Sequence, residues 1–359
     1  MSQAVQAPPL SGGALPAASE REAWLFRRVM PNPHPLQDLI RQCQGNPHLR
    51  IGAGPRAHPD APCARTPTQA PPAPPIDPAQ LLSDEAIARR VHDLPPLPRA
   101  MTEALRVVRS DALSADLCVR AIEQDAALAA RLLCLANSPF YGACGRVSSV
   151  GDAVRLLGLR TVAGVVVAVS MRSMLAQWPD GDGQFPSYWV HAVATATAAR
   201  ELARAAGADP DQAFLAGLLH DLGRLVSAVF SPAQTRLARA KAQAKDIDLR
   251  EAEAQLIGRA HDDVGAAVAR HWKLPDNIVS AIALHHAPRT TREAGVVPLE
   301  TIVHVADAIV HALDLVGDGA EMVPSINDDA WRLVCASDSA MLQLFERVQA
   351  GVTLLAADH

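Results

Sequence analysis

His220 and Asp221 stand side by side in an otherwise apolar run, Phe214 to Val226, and both side chains can ligate a metal. Leucines at 215, 218, 219, 222 and 225 have the three-and-four spacing of a helix face that packs into a core. A carboxylate on such a face needs a cation or several hydrogen bonds, because burying it unpaired costs several kcal/mol. The pair therefore points to a bound metal or a dense polar network, carried on one hydrophobic helix.

The elements that must position the pair are helical. After Pro78 the composition turns to long Ala/Leu/Val stretches with helical period and almost no strand-like alternation, which predicts an all-α ordered part. Breakers divide it at Pro95-Pro96-Leu97-Pro98, Asn137-Ser138-Pro139, Pro179 to Pro186, Ser231-Pro232, Leu274-Pro275, Pro288 and Val323-Pro324. Upstream, nine prolines between Pro55 and Pro78 mark a spacer, and residues 1–80 read as a largely disordered Pro-rich arm. Glu20 to Met30, with Trp24, Leu25, Phe26, Arg27 and Arg28, reads better as a nascent helix in that arm than as a folded one. From Ser337 onward Leu342, Phe345, Val348, Val352 and Leu355 predict a final amphipathic helix, with core packing as its default role.

Bulk properties exclude several function classes. The chain has 359 residues, 49% of them hydrophobic, so it can bury a large core. A net charge of −5 and a pI near 6.2 offer no basic field for phosphate backbones, so nucleic acid is not an expected partner. The N-terminus lacks a basic stretch followed by an apolar block, which predicts a cytoplasmic protein. Val162 to Val169 is far shorter than the roughly 20 apolar residues of a bilayer span, so no membrane is expected either. Six cysteines, at 43, 63, 118, 134, 144 and 335, form no C-x-x-C pair and suggest neither a disulfide framework nor a thiolate metal site.

A run of motifs in unbroken order then resembles the HDOD domain, a family of HD-superfamily-related output domains. The first half carries Leu94-Pro95-Pro96-Leu97-Pro98, Ile122-Glu123-Gln124-Asp125, and Arg131 to Gly142 with Leu135-Ala136-Asn137-Ser138-Pro139 at its centre. It continues through Val147-Ser148-Ser149 and Ala153 to Leu159. The second half carries Trp189-Val190-His191, His220-Asp221-Leu222-Gly223, His261-Asp262-Asp263-Val264-Gly265-Ala266, Trp272-Lys273-Leu274-Pro275, His285-His286 and Ala306-Asp307. Ala126 departs from the proline the family usually has after the Asp, which alters only a helix start. The resemblance covers about residues 90 to 310. It implies a two-lobed helical domain over 85–310, with an N-terminal lobe at about 85–180, an HD-like lobe at 181–310 and a helical extension at 311–359. Asn137 is expected as a left-handed C-cap ahead of Pro139, and Ser149 as the cap of a helix starting near Gly151.

The HD superfamily, which the second half resembles, binds one or two divalent metals through a His, an adjacent His-Asp pair and a distant Asp. Carried over residue by residue, these fall on His191, His220, Asp221 and Asp307. The two-metal branch adds histidines at His261, His285 and His286, so every ligand position keeps its chemistry. Fe, Mn or Zn is the implied metal, no organic cofactor is expected, and Asp221 and Arg224 are the catalytic candidates. Arg224 stands where the HD-GYP relatives carry lysine, and no Gly-Tyr-Pro follows His286, which argues against an HD-GYP phosphodiesterase.

For single residues the bland readings compete. His191 can be a buried histidine of an Ala-rich helix, and His304, Asp307 and His311 can form a polar stripe on one helix face. His271 and His304 read as packing or surface residues, and His92-Asp93 repeats the dipeptide in a segment too proline-rich for a core helix. HDOD domains generally serve as signalling modules without demonstrated catalysis. The resemblance thus implies a regulatory protein acting through a protein partner at the groove between the lobes, with a metal or an inherited pocket in the HD-like lobe. A nucleotide is the alternative ligand, and a metal-dependent phosphohydrolase acting on a nucleotide or phosphodiester is the competing function.

Overall fold

The computed structural model describes residues 35–43, 83–92, 97–109, 115–137, 147–175, 185–245, 247–315, 323–335 and 337–356. Among them every regular element is a helix. Apolar residues at helical spacing form a first lobe of α3 (Arg99–Arg109), α4 (Ala115–Glu123), α5 (Ala126–Ala136), α6 (Val150–Leu157) and α7 (Leu159–Leu175), with α3 packed along α7. The HD-like lobe is built from α8 (Phe185–Ala206), α9 (Pro210–Leu219), α10 (Leu222–Phe230), α11 (Pro232–Lys245), α12 (Leu249–Leu256), α13 (His261–His271), α14 (Asp276–Leu284) and α15 (Leu299–Leu313). Two further helices, α16 (Asp328–Val334) and α17 (Asp338–Ala356), follow and pack against α8.

Local chemistry sets several of these ends. Ser149 caps α6, its Oγ accepting from Asp152 N at 3.0 Å, as the sequence predicts. Asp125 Oδ1 accepts from Leu128 N at 3.0 Å, so α5 starts cleanly with Ala126 in place of proline. Asn137 differs from expectation and does not take the left-handed conformation. Its side chain instead clasps the chain ten residues on, with Nδ2 donating to Val147 O (2.8 Å) and Oδ1 accepting from Val147 N (2.9 Å). The paired amide satisfies the backbone N–H and C=O of buried Val147.

The lobes meet along α7, α8 and α9. Arg160 donates to Asp209 Oδ2 (2.7 Å), and Thr161 Oγ1 donates to Asp211 Oδ1 (2.8 Å) while accepting from Arg200 (2.9 Å). Asp209 also caps α9 ahead of Pro210. Within the HD-like lobe two glycines let backbones touch. A Cβ on Gly217 would fall 2.8 Å from Ala196 Cα of α8, and one on Gly223 would fall 1.8 Å from the His261 carbonyl oxygen. Helix α10 thus crosses the start of α13 with no side chain between them.

Two expectations change. The run 214–226 is not one helix: α9 ends at Leu219, Asp221 leaves helical geometry (φ −97°, ψ 13°), and α10 restarts at Leu222. Pro210–Phe230 is long and apolar enough to cross a membrane by length and composition, but it is broken at this point and 72% of its most apolar window is buried. Within residues 1–80, Pro35–Cys43 form a helix, α1, whose Leu36, Leu39 and Ile40 join the core against α15 and α17. Its apolar face supplies enough burial to fold there. The rest of that arm, including Glu20 to Met30, lies outside the described residues. Asp84–His92 (α2) packs on α13 of the HD-like lobe, with the His92 and His271 rings 6.1 Å apart and both residues exposed. The predicted terminal helix is α17, which buries Phe345, Val348 and Val352.

Candidate metal centre

The break at His220-Asp221 explains itself once the side chains are followed. Aspartate at a helix N-cap ordinarily accepts a backbone N–H, yet Asp221 caps nothing and sends both oxygens inward. Oδ2 lies 3.5 Å from His220 Nε2 and 3.8 Å from His191 Nε2, while Oδ1 lies 3.2 Å from His261 Nε2 and 3.7 Å from His285 Nε2. One carboxylate thus sits between two groups of histidines. The first group is completed by Asp307, whose Oδ1 is 3.0 Å from His191 Nε2 and 3.7 Å from His220 Nε2. The second is completed by His286, whose Nε2 is 2.9 Å from that of His261.

Every metal residue expected from the sequence is therefore brought to one place. His191 and Asp307 stand within α8 and α15, one reached along the Ala-rich face of α8 and the other on the buried face of α15. The others sit at helix ends: His220 closes α9, Asp221 precedes α10, His261 opens α13, and His285-His286 follow α14. Helix ends allow a side chain to turn toward a point that a continuous face would miss.

The outer nitrogens fix which inner nitrogen is free. His220 Nδ1 faces the Gly217 carbonyl (2.7 Å) and His285 Nδ1 the Ile282 carbonyl (2.8 Å), both pure acceptors. His261 Nδ1 faces the Glu253 carboxylate at 2.7 Å. Each Nδ1 must carry a proton, so Nε2 is the nitrogen that faces Asp221 and the one that a neutral ring offers as a lone pair. Such outer partners are how metal-ligating histidines are held. Meanwhile both Asp221 oxygens, Asp307 Oδ1 and His285 Nε2 are buried with no hydrogen bond of good geometry among the described residues. Converging lone pairs and orphaned carboxylate oxygens fit divalent cations, and imidazole with carboxylate suits iron, manganese or zinc.

Electrostatics agree. Burial pushes the Asp221 carboxyl up, but Arg224, His220 and His261 outweigh it and hold the group well below the usual carboxylate range. Asp307 is also held well below that range, burial being overcome by His311, His191 and His220. Burial opposes protonation of His261, yet Glu253 and Asp221 raise it to about 9. Burial and His220 drive His285 down to about 3, and burial with His285 and His261 keeps His286 well below the ordinary histidine range. Protonated His261 thus shares the pocket with neutral His285 and His286, and a cation would displace that proton.

Arg224, a catalytic candidate beside Asp221, lies in the first turn of α10 with Nε 3.0 Å from Asp221 Oδ2. Two residues were missed from the sequence. Glu253 is buried and its Oε2 accepts both His261 N (3.0 Å) and Nδ1. Eight residues of separation across a turn hid it, since nothing local marks Glu253 as different from Glu251. His311 lies one turn beyond Asp307, its Nε2 3.3 Å from Asp307 Oδ1. Its i, i+4 spacing was legible, but not that the shared face looks into the site. His304 on that face is buried and donates from Nδ1 to the His285 carbonyl (2.7 Å), bracing the α14 end.

The HDOD domain profile matches residues 94–288, more than half of the chain. The chain belongs to the HDOD family. Asp307 and His311 lie beyond the matched stretch. An uncharacterized protein of Treponema pallidum (strain Nichols) is 30% identical over 236 residues, 64% of this chain and 44% of that protein. The chain therefore spans less than half the length of that relative. Among solved structures, a Marinobacter aquaeolei VT8 protein named for a suspected role in signal transduction aligns with a TM-score of 0.62 at 24% identity, over 77% of this chain and 62% of that one. An HDOD domain protein of unknown function from Geobacter sulfurreducens aligns with a TM-score of 0.60 at 23% identity, over 72% and 91%. A suspected phosphohydrolase from Shewanella amazonensis SB2B aligns with a TM-score of 0.55 at 24% identity, over 74% and 97%. These likenesses establish the fold of the HDOD domain.

Proposed function

We propose that the HD-like lobe of this HDOD protein binds two divalent ions, with Asp221 among the residues that would hold each, and acts as a metal-dependent phosphohydrolase on a phosphoester. The observation that carries this reading is Asp221 itself, with one oxygen turned to each histidine group and neither in a hydrogen bond of good geometry, Arg224 Nε lying 3.0 Å from Oδ2 as an ion pair. His191, His220, Asp221 and Asp307 would hold one ion, and Asp221, His261, His285 and His286 the other. Divalent ions held there would supply Lewis acidity toward phosphoryl oxygens and a hydroxide nucleophile near neutral pH. Arg224 adds a fixed positive charge at the edge of the cluster, suited to an incoming phosphate. The buried walls exclude bulk water, and His286, His311 and Arg224 form the half-buried polar rim by which an anion would enter.

A regulatory reading is the second, favoured by the family and by the ion pair that already engages Arg224 with Asp221. In it the centre is structural or sensory, and a protein partner docks at the groove between the lobes. In either reading we place the protein in the cytoplasm, with the lobes bounded at about 85–180 and 181–310.

The deciding experiment measures metal by elemental mass spectrometry in protein purified without chelator, wild type against Asp221→Ala, followed by a hydrolysis screen on nucleotides and phosphodiesters. Near two equivalents of metal in the wild type, lost in the variant together with turnover, is the expected result. Metal without turnover on any substrate class would leave the regulatory reading standing, and absence of metal would remove the centre altogether.

A further inference from the structure

We infer that His311 is a fifth protein ligand of the ion held by His191, His220, Asp221 and Asp307. The inference rests on the two-ion reading and adds a residue outside the superfamily's ligand set. His311 sits one turn after Asp307 on α15, and its Nε2 approaches Oδ1 at 3.3 Å. That is the same oxygen that His191 meets at 3.0 Å and His220 at 3.7 Å. The His311 and His191 ring centres are 4.8 Å apart, and the donor atoms of His191, Asp307 and His311 all lie within 4.8 Å of one another.

Geometry separates a ligand from an outer hydrogen-bond donor. An outer donor that merely orients Asp307 would approach the oxygen turned away from the cluster. His311 instead approaches the inward oxygen, from the side of His191. Two donors each about 2.1 Å from one ion at right angles lie roughly 3 Å apart. The His191–Asp307, His311–Asp307 and His191–His220 separations of 3.0, 3.3 and 3.3 Å all match that edge.

The consequence is an asymmetric pair. The first ion would take five nitrogen and oxygen donors from the chain, and the second four: Asp221, His261, His285 and His286. Five such donors favour a six-coordinate metal such as iron or manganese over tetrahedral zinc at the first position. Positions left for an exogenous anion would then fall mainly on the second ion.

The test is a Co(II) titration of chelator-stripped full-length protein, followed by visible absorption and calorimetry. It compares the wild type with His311→Ala, His311→Asn and His286→Ala. Asparagine retains a donor for the Asp307 carboxylate but ligates cobalt poorly, so it separates the two roles. The expected result is two equivalents in the wild type. Both His311 variants should bind one equivalent about tenfold or more weaker, with its d–d band shifted. The other equivalent should be untouched, and His286→Ala should perturb that one instead. Two equivalents with wild-type affinity and bands in His311→Asn would overturn the inference while leaving the two-ion centre intact. A wild type that takes up no cobalt would overturn that centre and His311 ligation with it.

Discussion

Helices α3 to α7 bury Thr161 and Ser170 as their polar side chains among the described residues, whereas every described buried Asp, Glu, Arg and His lies between His191 and Asp307. The first lobe nevertheless carries the sharpest of the family motifs, Leu135-Ala136-Asn137-Ser138-Pro139. There, Asn137 does architectural work, tying the end of α5 to Val147. The HD-like lobe follows the opposite plan and gives up apolar burial at its centre to gather seven ligand-type side chains. A motif that marks the family and the cluster of side chains able to hold a metal thus occupy different halves of one domain.

Substitutions can break that contrast, and Asp221→Ala should do most. It removes the one group shared by both histidine clusters. Metal affinity should fall by more than about 100-fold, the upper end seen when only an outer partner is lost. Elemental analysis after dialysis reads this directly, and retention of one full equivalent would show that the two clusters are independent.

Gly223→Ala comes next. Its Cβ would press 1.8 Å from the His261 carbonyl, so α10 and α13 must separate, carrying Asp221 away from His261. Denaturant unfolding should show a loss of at least about 1–3 kcal/mol, the usual range for overpacking, with metal lost as well. Unchanged metal content in a stable variant would contradict the close crossing.

Glu253→Gln should weaken one equivalent by about 10- to 100-fold and leave the other alone, since the Glu253 carboxylate holds His261 by both its backbone N–H and its ring. Calorimetric metal titration distinguishes this from a general loss of fold. In the first lobe, Asn137→Ala should cost about 1–3 kcal/mol of stability by stranding the Val147 backbone groups. Metal stoichiometry should not change. An effect of Asn137→Ala on metal affinity would mean that the lobes are coupled more tightly than their contacts indicate.

The N-terminal arm shows where sequence patterning runs out. The prolines from Pro55 to Pro78 lie outside the described residues, but Pro35–Cys43 is short, and its three apolar residues gain burial against α15 and α17, more than 250 residues downstream. The helix through 214–226 failed for a related reason. Periodicity reports a preference for helix over a window, and a two-residue break that serves a distant carboxylate and three histidines leaves the leucine spacing intact.

The helical class and the family followed from the sequence, and so did the seven side chains that the fold gathers as candidate ligands, because helical period, breakers and side-chain chemistry are carried locally. Only the tertiary structure decided that Asp221 faces both ways, that Gly223 lets α10 reach His261, and that Glu253 and His311 belong to the centre. Those facts depend on where helices far apart in the chain place a few atoms, and distances of about 3 Å between such atoms leave no trace in residue order.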